Sequence, residues 1–161
     1  MVDTVETKNK FAVQGKTKLV KGTVTMPEGS GLRLIMVFAS ESGKPDSDLY
    51  KILDHKWRAS AELKGWYQVH TTFKMGAVKE TSVQSDVWLM NMLVLDKDNK
   101  LNEKALATAI KELTKVARYE RASVHCSTLL TTAYPELQDL LNTALVEQGV
   151  SVSYYVEPTT K

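Results

Sequence analysis

Two short, strongly apolar runs limit the possible folds of this chain more than any other feature. Residues 32–38 and 87–95 are rich in Leu, Val and Met, and turn-forming residues flank both runs. A strand that is apolar on both faces is typical of a sheet covered by helices on each side. The sequence therefore predicts a layered α/β domain with these two strands at its centre.

Weaker patterns predict the remaining strands and the helices between them. The strands are expected at residues 18–24, 75–83, 123–126 and 150–156. In the last strand, apolar residues alternate with Ser151, Ser153 and Tyr155, which predicts that the face carrying Tyr155 is the more exposed one.

Four segments with apolar residues at helical spacing lie between these strands. The first predicted helix begins at Asp46 or Ser47 and runs through Trp57, and the second is a short one that starts at Ser60 before Gly65. The third has Asn102 as its N-cap and runs through Ala117, and the fourth extends from Pro135 to Gly149. Alternation of strands and helices predicts a three-layer α/β fold with a mixed or mostly parallel sheet.

Composition excludes several other classes of protein. Of the 161 residues, 43% are hydrophobic and 25% are charged, and the net charge is +2. These values argue against a disordered chain and against bulk binding to nucleic acid or membranes. A single cysteine, together with the lack of a signal peptide or a spanning apolar run, predicts a cytoplasmic protein without membrane contact.

Positive charge is concentrated near the N-terminus. Five lysines between residues 8 and 21 are accompanied by two acidic residues in the first 21 positions. This pattern predicts a flexible basic arm over residues 1–16 and a single domain over residues 17–158. The alternative interpretation is that the arm contacts nucleic acid through Lys16, Lys18 and Lys21.

Common metal and nucleophile motifs are incomplete in this sequence. Residues 96–100 resemble the start of a calcium loop, but Leu101 and Ala107 stand where the loop requires Gly and Glu. Cys126 directly follows His125, so on a strand the two side chains point to opposite faces and cannot form a catalytic pair. We therefore expect Cys126 to be a buried apolar residue, and no metal or cofactor is predicted.

Five segments together resemble a macro domain of the phosphatase-like, ADP-ribose-processing branch. They are Lys21-Gly-Thr-Val-Thr-Met-Pro27, residues 32–38, Asn91-Met-Leu93, Ala122-Ser-Val-His125 and residues 149–158. The family typically shows a Lys-Gly-Asp-Ala-Thr-x-Pro opening, a strand ending in Asn-Asp, and Asn-Met-Ile, Ala-Ser-Val-His and Val-x-Val-Tyr strands. The resemblance covers about residues 18–158 and implies a macro-type three-layer α/β/α sandwich with a mixed central sheet.

The resemblance also implies where ADP-ribose would bind, and the sequence departs from the family there. Thr23 stands where the family has an Asp that receives the adenine amino group, so one acceptor carboxylate is lost. Ser40 and Glu41 stand at the Asn-Asp pair beside the distal ribose. Gly43 is kept in the turn that follows.

Two acidic residues, Asp46 and Asp48, replace later glycines of the turn that leads the diphosphate onto a helix N-terminus. Carboxylates there are expected to cap the N–H donors and to repel the anion. The repulsion between two like charges ~4 Å apart costs about 1 kcal/mol in water and about 4 kcal/mol near a protein surface. A micromolar dissociation constant corresponds to about 8 kcal/mol of binding free energy, so two such carboxylates could remove most of it. The alternatives are that both residues point away from the cleft or hold a divalent cation.

The loop after the Ala-Ser-Val-His strand is the fourth place where the family holds ADP-ribose. Here residues 126–134 contain no glycine, and Ser127, Thr128 and Tyr134 are the candidate cleft residues. Close approach of a ligand to this backbone is hindered because every residue carries a Cβ.

These departures predict a degenerate macro-like domain that has lost ADP-ribose binding and hydrolysis and acts as a non-catalytic interaction module, with a protein as its most favoured partner. The alternative is an enzyme that processes ADP-ribose or nucleotide phosphates in a remodelled pocket. In that case Glu41 would serve as the base, with Ser40 and Thr128 as hydrogen-bonding supports.

Overall fold

A six-stranded mixed sheet forms the centre of the computed structural model, which describes residues 14–158. The strands are β1 (Thr17–Lys21), β2 (Arg33–Ser40), β3 (Val78–Gln84), β4 (Val87–Leu95), β5 (Ser123–Ser127) and β6 (Val152–Val156). Their order in the sheet is β1-β6-β5-β2-β4-β3. Strand β3 is antiparallel to β4, and the other four neighbouring pairs are parallel.

Five α-helices connect these strands. They are α1 (Asp48–Asp54), α2 (Ala59–Gln68), α3 (Glu103–Glu120), α4 (Thr128–Ala133) and α5 (Leu137–Ala144), and a short 3-10 turn follows at Val146–Gln148. The connection from β2 to β4 and the connection from β4 to β5 lead in opposite directions across the sheet. Because parallel crossovers are right-handed, α1 and α2 cover one face and α3 to α5 cover the other. The predicted three-layer fold with a mixed sheet is confirmed.

Residues 1–13 of the predicted basic arm lie outside the described residues. Lys16, Lys18 and Lys21 are described, and Lys18 forms an ion pair with Glu28. Contact of these lysines with nucleic acid stays a prediction. No helix among residues 14–158 is both long enough and apolar enough to span a bilayer. The predicted cytoplasmic location likewise stays a prediction.

The two apolar runs are the central strands, as predicted. Every residue of β2 after Arg33 is buried, and in β4 only Trp88 is partly exposed. Asn91 is the polar exception in β4. Its side-chain Oδ1 accepts a hydrogen bond from the Tyr50 hydroxyl of α1 at 3.2 Å, and its Nδ2 donates to the Lys79 carbonyl of β3 at 3.1 Å. This one side chain therefore links α1, β4 and β3.

Tyr155 contradicts the expectation of an exposed face on β6, because it is fully buried. Its hydroxyl accepts a hydrogen bond from the Glu28 N–H at 2.8 Å and lies 2.7 Å from Nδ1 of His125. The segment between β1 and β2 thus covers this face. Alternation within one strand carries no information about a cover that comes from a distant part of the chain.

His125 occupies the middle of a buried polar network. Its Nε2 lies 2.7 Å from the Ser123 hydroxyl, on the other side of the ring from Tyr155. Burial and the nearby charge of Arg33 lower the pKa of His125 to about 4. Cys126 is fully buried as predicted, and burial raises the pKa of its thiol to about 12.

Candidate functional site

The carboxyl ends of β2, β4 and β5 meet at one edge of the sheet, where open α/β sheets usually bind ligands. A cavity of about 190 Å³ lies there. It is lined by Phe38, Ser47, Asp48, Leu49, Leu95, Leu129, Leu130, Ala133 and Tyr134. Small-molecule sites usually enclose about 300–1,000 Å³. The cavity is therefore small and mostly apolar. Of the residues predicted for the cleft, Asp48 and Tyr134 line it.

The Tyr134 side chain crosses this cleft. Its ring packs against Phe38 with a centroid distance of 5.6 Å, and its hydroxyl donates a hydrogen bond to the Asn99 carbonyl at 3.1 Å. Asn99 belongs to the loop between β4 and α3, whereas Tyr134 follows α4. The Tyr134 side chain thus links the end of α4 to the loop between β4 and α3.

Ser40 is the last residue of β2, and Glu41 follows it directly. The buried Ser40 hydroxyl donates to the Asp96 carbonyl at 2.7 Å and accepts from the Ser42 N–H at 3.1 Å. Glu41 is half-buried, its N–H donates to the Leu95 carbonyl, and its side chain is not part of the cavity lining. The Ser40 hydroxyl is therefore engaged within the protein, and Glu41 does not face the cavity.

Gly43 is required here by the fold of the chain itself. Its φ is +74°, and a Cβ at this position would lie 2.4 Å from the ring of Tyr67 on α2. Its N–H donates to the Ser40 carbonyl at 2.9 Å, which closes the turn after β2. The glycine kept from the family pattern is thus explained by a tight turn under an aromatic ring.

Replacing Gly43 by alanine is expected to lower the free energy of unfolding by about 2 kcal/mol, about 1 from the positive φ and about 1 from contact with Tyr67, which is partly exposed and can shift. Gly29→Ala is the matched control, because Gly29 has a φ of +100° and nothing within 4 Å of the added Cβ. Urea unfolding measures both variants. Equal losses in the two would contradict the role of Tyr67.

The N-cap of α1 is one of the two residues that the sequence predicted for the start of this helix. Ser47 is the N-cap, and its Oγ accepts a hydrogen bond from the Tyr50 N–H at 3.3 Å. The prediction that a carboxylate takes these N–H donors is therefore wrong. Asp48 lines the cavity and lies 3.8 Å from Lys51 Nζ, with a side chain that is 79% exposed. Asp46 is exposed and does not line the cavity.

The region predicted as a glycine-free loop is the end of β5 followed by the helix α4. Ser127 is fully buried, and its Oγ accepts from the Leu129 N–H at 3.1 Å as the helix cap. Thr128 donates to the Tyr155 carbonyl at 3.0 Å and lines a separate hollow beside β1. Neither side chain reaches the cavity. The sequence did not reveal α4 because six residues rich in threonine have little helix propensity.

The turn after β1, where the resemblance places adenine, is hydrogen-bonded internally. Thr23 Oγ1 accepts from the Thr25 N–H at 3.2 Å, and the Val24 N–H donates to a Glu157 carboxylate oxygen at 2.8 Å. The Thr25 carbonyl accepts from Lys56 Nζ at 2.8 Å. Glu157 was missed in the sequence, where its only signal was its position directly after the last strand.

The sequence matches no protein-family model and no curated protein. Several solved structures are similar to it. The structure of a macrodomain protein from Streptomyces coelicolor has 22% identity and a TM-score of 0.81, covering 89% of this chain and 100% of that one. The macrodomain of Mycobacterium tuberculosis DarG has 13% identity and a TM-score of 0.70, with coverages of 90% and 99%. Thermosipho africanus DarTG, in complex with ADP-ribose, has 13% identity and a TM-score of 0.67, with coverages of 91% and 42%.

Proposed function

We propose that this chain, which has the macrodomain fold, is a non-catalytic interaction module whose cleft does not bind ADP-ribose. The observation that carries the proposal is the small apolar cavity of about 190 Å³ at the carboxyl ends of the central strands, crossed by Tyr134. A dinucleotide-sized ligand needs more space than this cavity offers. For ADP-ribose to enter this cavity, the hydrogen bond between the Tyr134 hydroxyl and the Asn99 carbonyl would have to break.

Hydrogen-bonding groups around the cleft support the same proposal. The Oγ atoms of Ser47 and Ser127 accept from N–H groups at the starts of α1 and α4. At the other end of the cleft, the Val24 N–H is taken by Glu157. A nucleotide oxygen that approaches the N–H of Tyr50, Leu129 or Val24 would have to replace one of these bonds, and replacing a satisfied intramolecular bond gives little net free energy.

Charge at the cleft acts in the same direction. The Asp48 carboxylate lines the cavity at the start of α1, where an incoming diphosphate would meet it. Its side chain is largely exposed, so water and salt screen the repulsion. We therefore infer that the small cavity volume and the N–H donors already bonded within the protein oppose ADP-ribose binding more strongly than the charge of Asp48 does.

The enzyme hypothesis has less support from the geometry. It requires Glu41 as a base near the hydroxyls of Ser40 and Thr128. The Ser40 hydroxyl is bonded to the Asp96 carbonyl, and the Thr128 hydroxyl is bonded to the Tyr155 carbonyl. Glu41 itself is not part of the cavity lining.

Isothermal calorimetry with ADP-ribose tests the proposal directly. We expect no saturable heat, which corresponds to a dissociation constant weaker than about 1 mM, or less than about 4 kcal/mol of binding free energy. Binding of one ADP-ribose per chain with a micromolar dissociation constant would refute the loss of the ligand. Titration of ADP-ribose into buffer alone gives the heat of dilution that is subtracted.

A further inference from the structure

A groove of about 580 Å³ runs along the outer surface between α3 and α5. Its floor is apolar and includes Ile110 of α3 together with Leu140 and Ala144 of α5. Ile110 is buried, whereas Leu140 and Ala144 are partly exposed. The groove thus leaves aliphatic surface in contact with solvent at its base.

Three exposed cations form one rim of this groove. Lys111, Lys115 and Arg118 follow each other at spacings of four and three residues, so they lie along one side of α3. Among residues 14–158 no acidic side chain forms an ion pair with any of the three, and none of the described residues that line the groove is acidic. The three cations therefore have no ion-pair partner within 4 Å among residues 14–158.

A side-chain contact links the two helices that form the groove. The Thr114 hydroxyl on α3 donates to the Ile110 carbonyl at 2.8 Å and lies 3.3 Å from the Ala144 carbonyl of α5. This contact joins the two helices across the groove floor. A ligand would meet a preformed surface and would not have to separate the helices, which reduces the ordering cost of binding.

An exposed aromatic residue extends the same surface. Tyr119 is 84% exposed and follows Lys115 by one helical turn. Arg121, at the end of α3, continues the positive charge and lines a polar hollow together with Arg118. Aromatic and arginine side chains are the residue types that contribute most to protein interfaces.

We propose that this groove binds an acidic amphipathic helix of a partner protein. Aliphatic side chains of the helix would lie on Leu140 and Ala144, and its carboxylates would face Lys111, Lys115 and Arg118. Such binding of an amphipathic helix in a groove is a common recognition mode, and complementary charge sets its orientation and speed. The inference rests on the proposed role as an interaction module, but it does not depend on the state of the cleft.

The apolar floor favours a protein segment over a nucleic acid. Phosphate backbones are held by cations, and unpaired bases stack on aromatic side chains. Tyr119 lies beside the groove, but the groove lining itself contains no aromatic residue among the described positions, and aliphatic carbons form its base. A polynucleotide would leave that aliphatic surface unused.

Peptide selection tests the proposal. A phage library of random peptides of about 16 residues, long enough to form a helix, is selected on the full chain. We expect enriched peptides to carry net negative charge and aliphatic residues at helical spacing. One enriched peptide is then synthesised, and fluorescence anisotropy measures its affinity for the wild type and for the double variant Lys111→Glu/Lys115→Glu. Its affinity should fall by about tenfold or more in this variant.

The matched control is Lys64→Glu/Lys97→Glu, which makes the same charge change at exposed lysines outside the groove. We expect its affinity to stay within about twofold of the wild type. The proposal is overturned by a selection that enriches no acidic peptide, by equal losses in the two double variants, or by tighter binding of a labelled oligonucleotide that competes with the peptide. Calorimetry with ADP-ribose on the same sample reports separately on the cleft.

Discussion

Replacing Asn91 by alanine is expected to lower the free energy of unfolding by about 4 kcal/mol. The change removes the acceptor of the Tyr50 hydroxyl, and the Tyr50 side chain is almost fully buried. It also removes the donor to the Lys79 carbonyl and leaves a small cavity between α1 and the sheet. An unpaired buried hydroxyl costs about 1–3 kcal/mol, and loss of packing adds about 1–2.

A double-mutant cycle with Tyr50→Phe separates these contributions. Burial raises the pKa of Tyr50 well above its usual value, so the hydroxyl stays a hydrogen-bond donor. Tyr50→Phe alone should cost about 1 kcal/mol. The loss in the double variant should be smaller than the sum of the two single losses by about 3 kcal/mol, because Asn91→Ala no longer leaves a buried hydroxyl without a partner once that hydroxyl is removed. Strict additivity in urea unfolding would contradict the proposed bond.

Acidification should destabilise the domain through His125. The pKa of the buried imidazole is lowered to about 4, whereas an unfolded histidine titrates near 6.5. Between these values the unfolded chain binds a proton that the folded chain does not, so stability falls as the pH falls. The full loss is about 3 kcal/mol at pH 4, and about 2 kcal/mol of it occurs between pH 6.5 and 5.

Urea unfolding at several pH values between 7 and 5 measures this slope. The upper part of the range is the informative part, because carboxyl groups titrate mainly below it. His125→Gln keeps hydrogen-bonding atoms beside Ser123 and Tyr155 but cannot take up the proton, so its stability should change much less over the same range. A slope as steep in His125→Gln as in the wild type would exclude His125 as the cause.

The parts of the fold that the sequence predicted are those set by local patterns. Polar and apolar residues do not alternate in residues 87–95, because both faces of β4 are covered. This lack of alternation was sufficient to predict a central strand. Asn102 was identified as the N-cap of α3, and its Oδ1 accepts from the Ala105 N–H at 2.9 Å. Gly149 was expected to end the last helical segment, and it does so with a φ of +91°.

The features that the sequence did not predict depend on distant partners. Tyr155 is buried by the segment around Glu28, and Glu157 bonds to Val24 across the whole length of the chain. The helix α4 forms where six residues with weak propensity have a serine cap and a neighbouring strand to bond. At the cleft, the residue types were predicted from family positions, but which hydroxyls are already paired depends on the folded backbone.

Determination of a crystal structure at millimolar ADP-ribose is the most direct test of the proposed loss of this ligand. We predict that the cavity lined by Phe38 and Tyr134 stays free of nucleotide, with the Tyr134 hydroxyl still bonded to the Asn99 carbonyl and Glu157 still bonded to the Val24 N–H. An ordered ADP-ribose in this cleft, with its diphosphate at the start of α1 and Tyr134 displaced, would contradict the account.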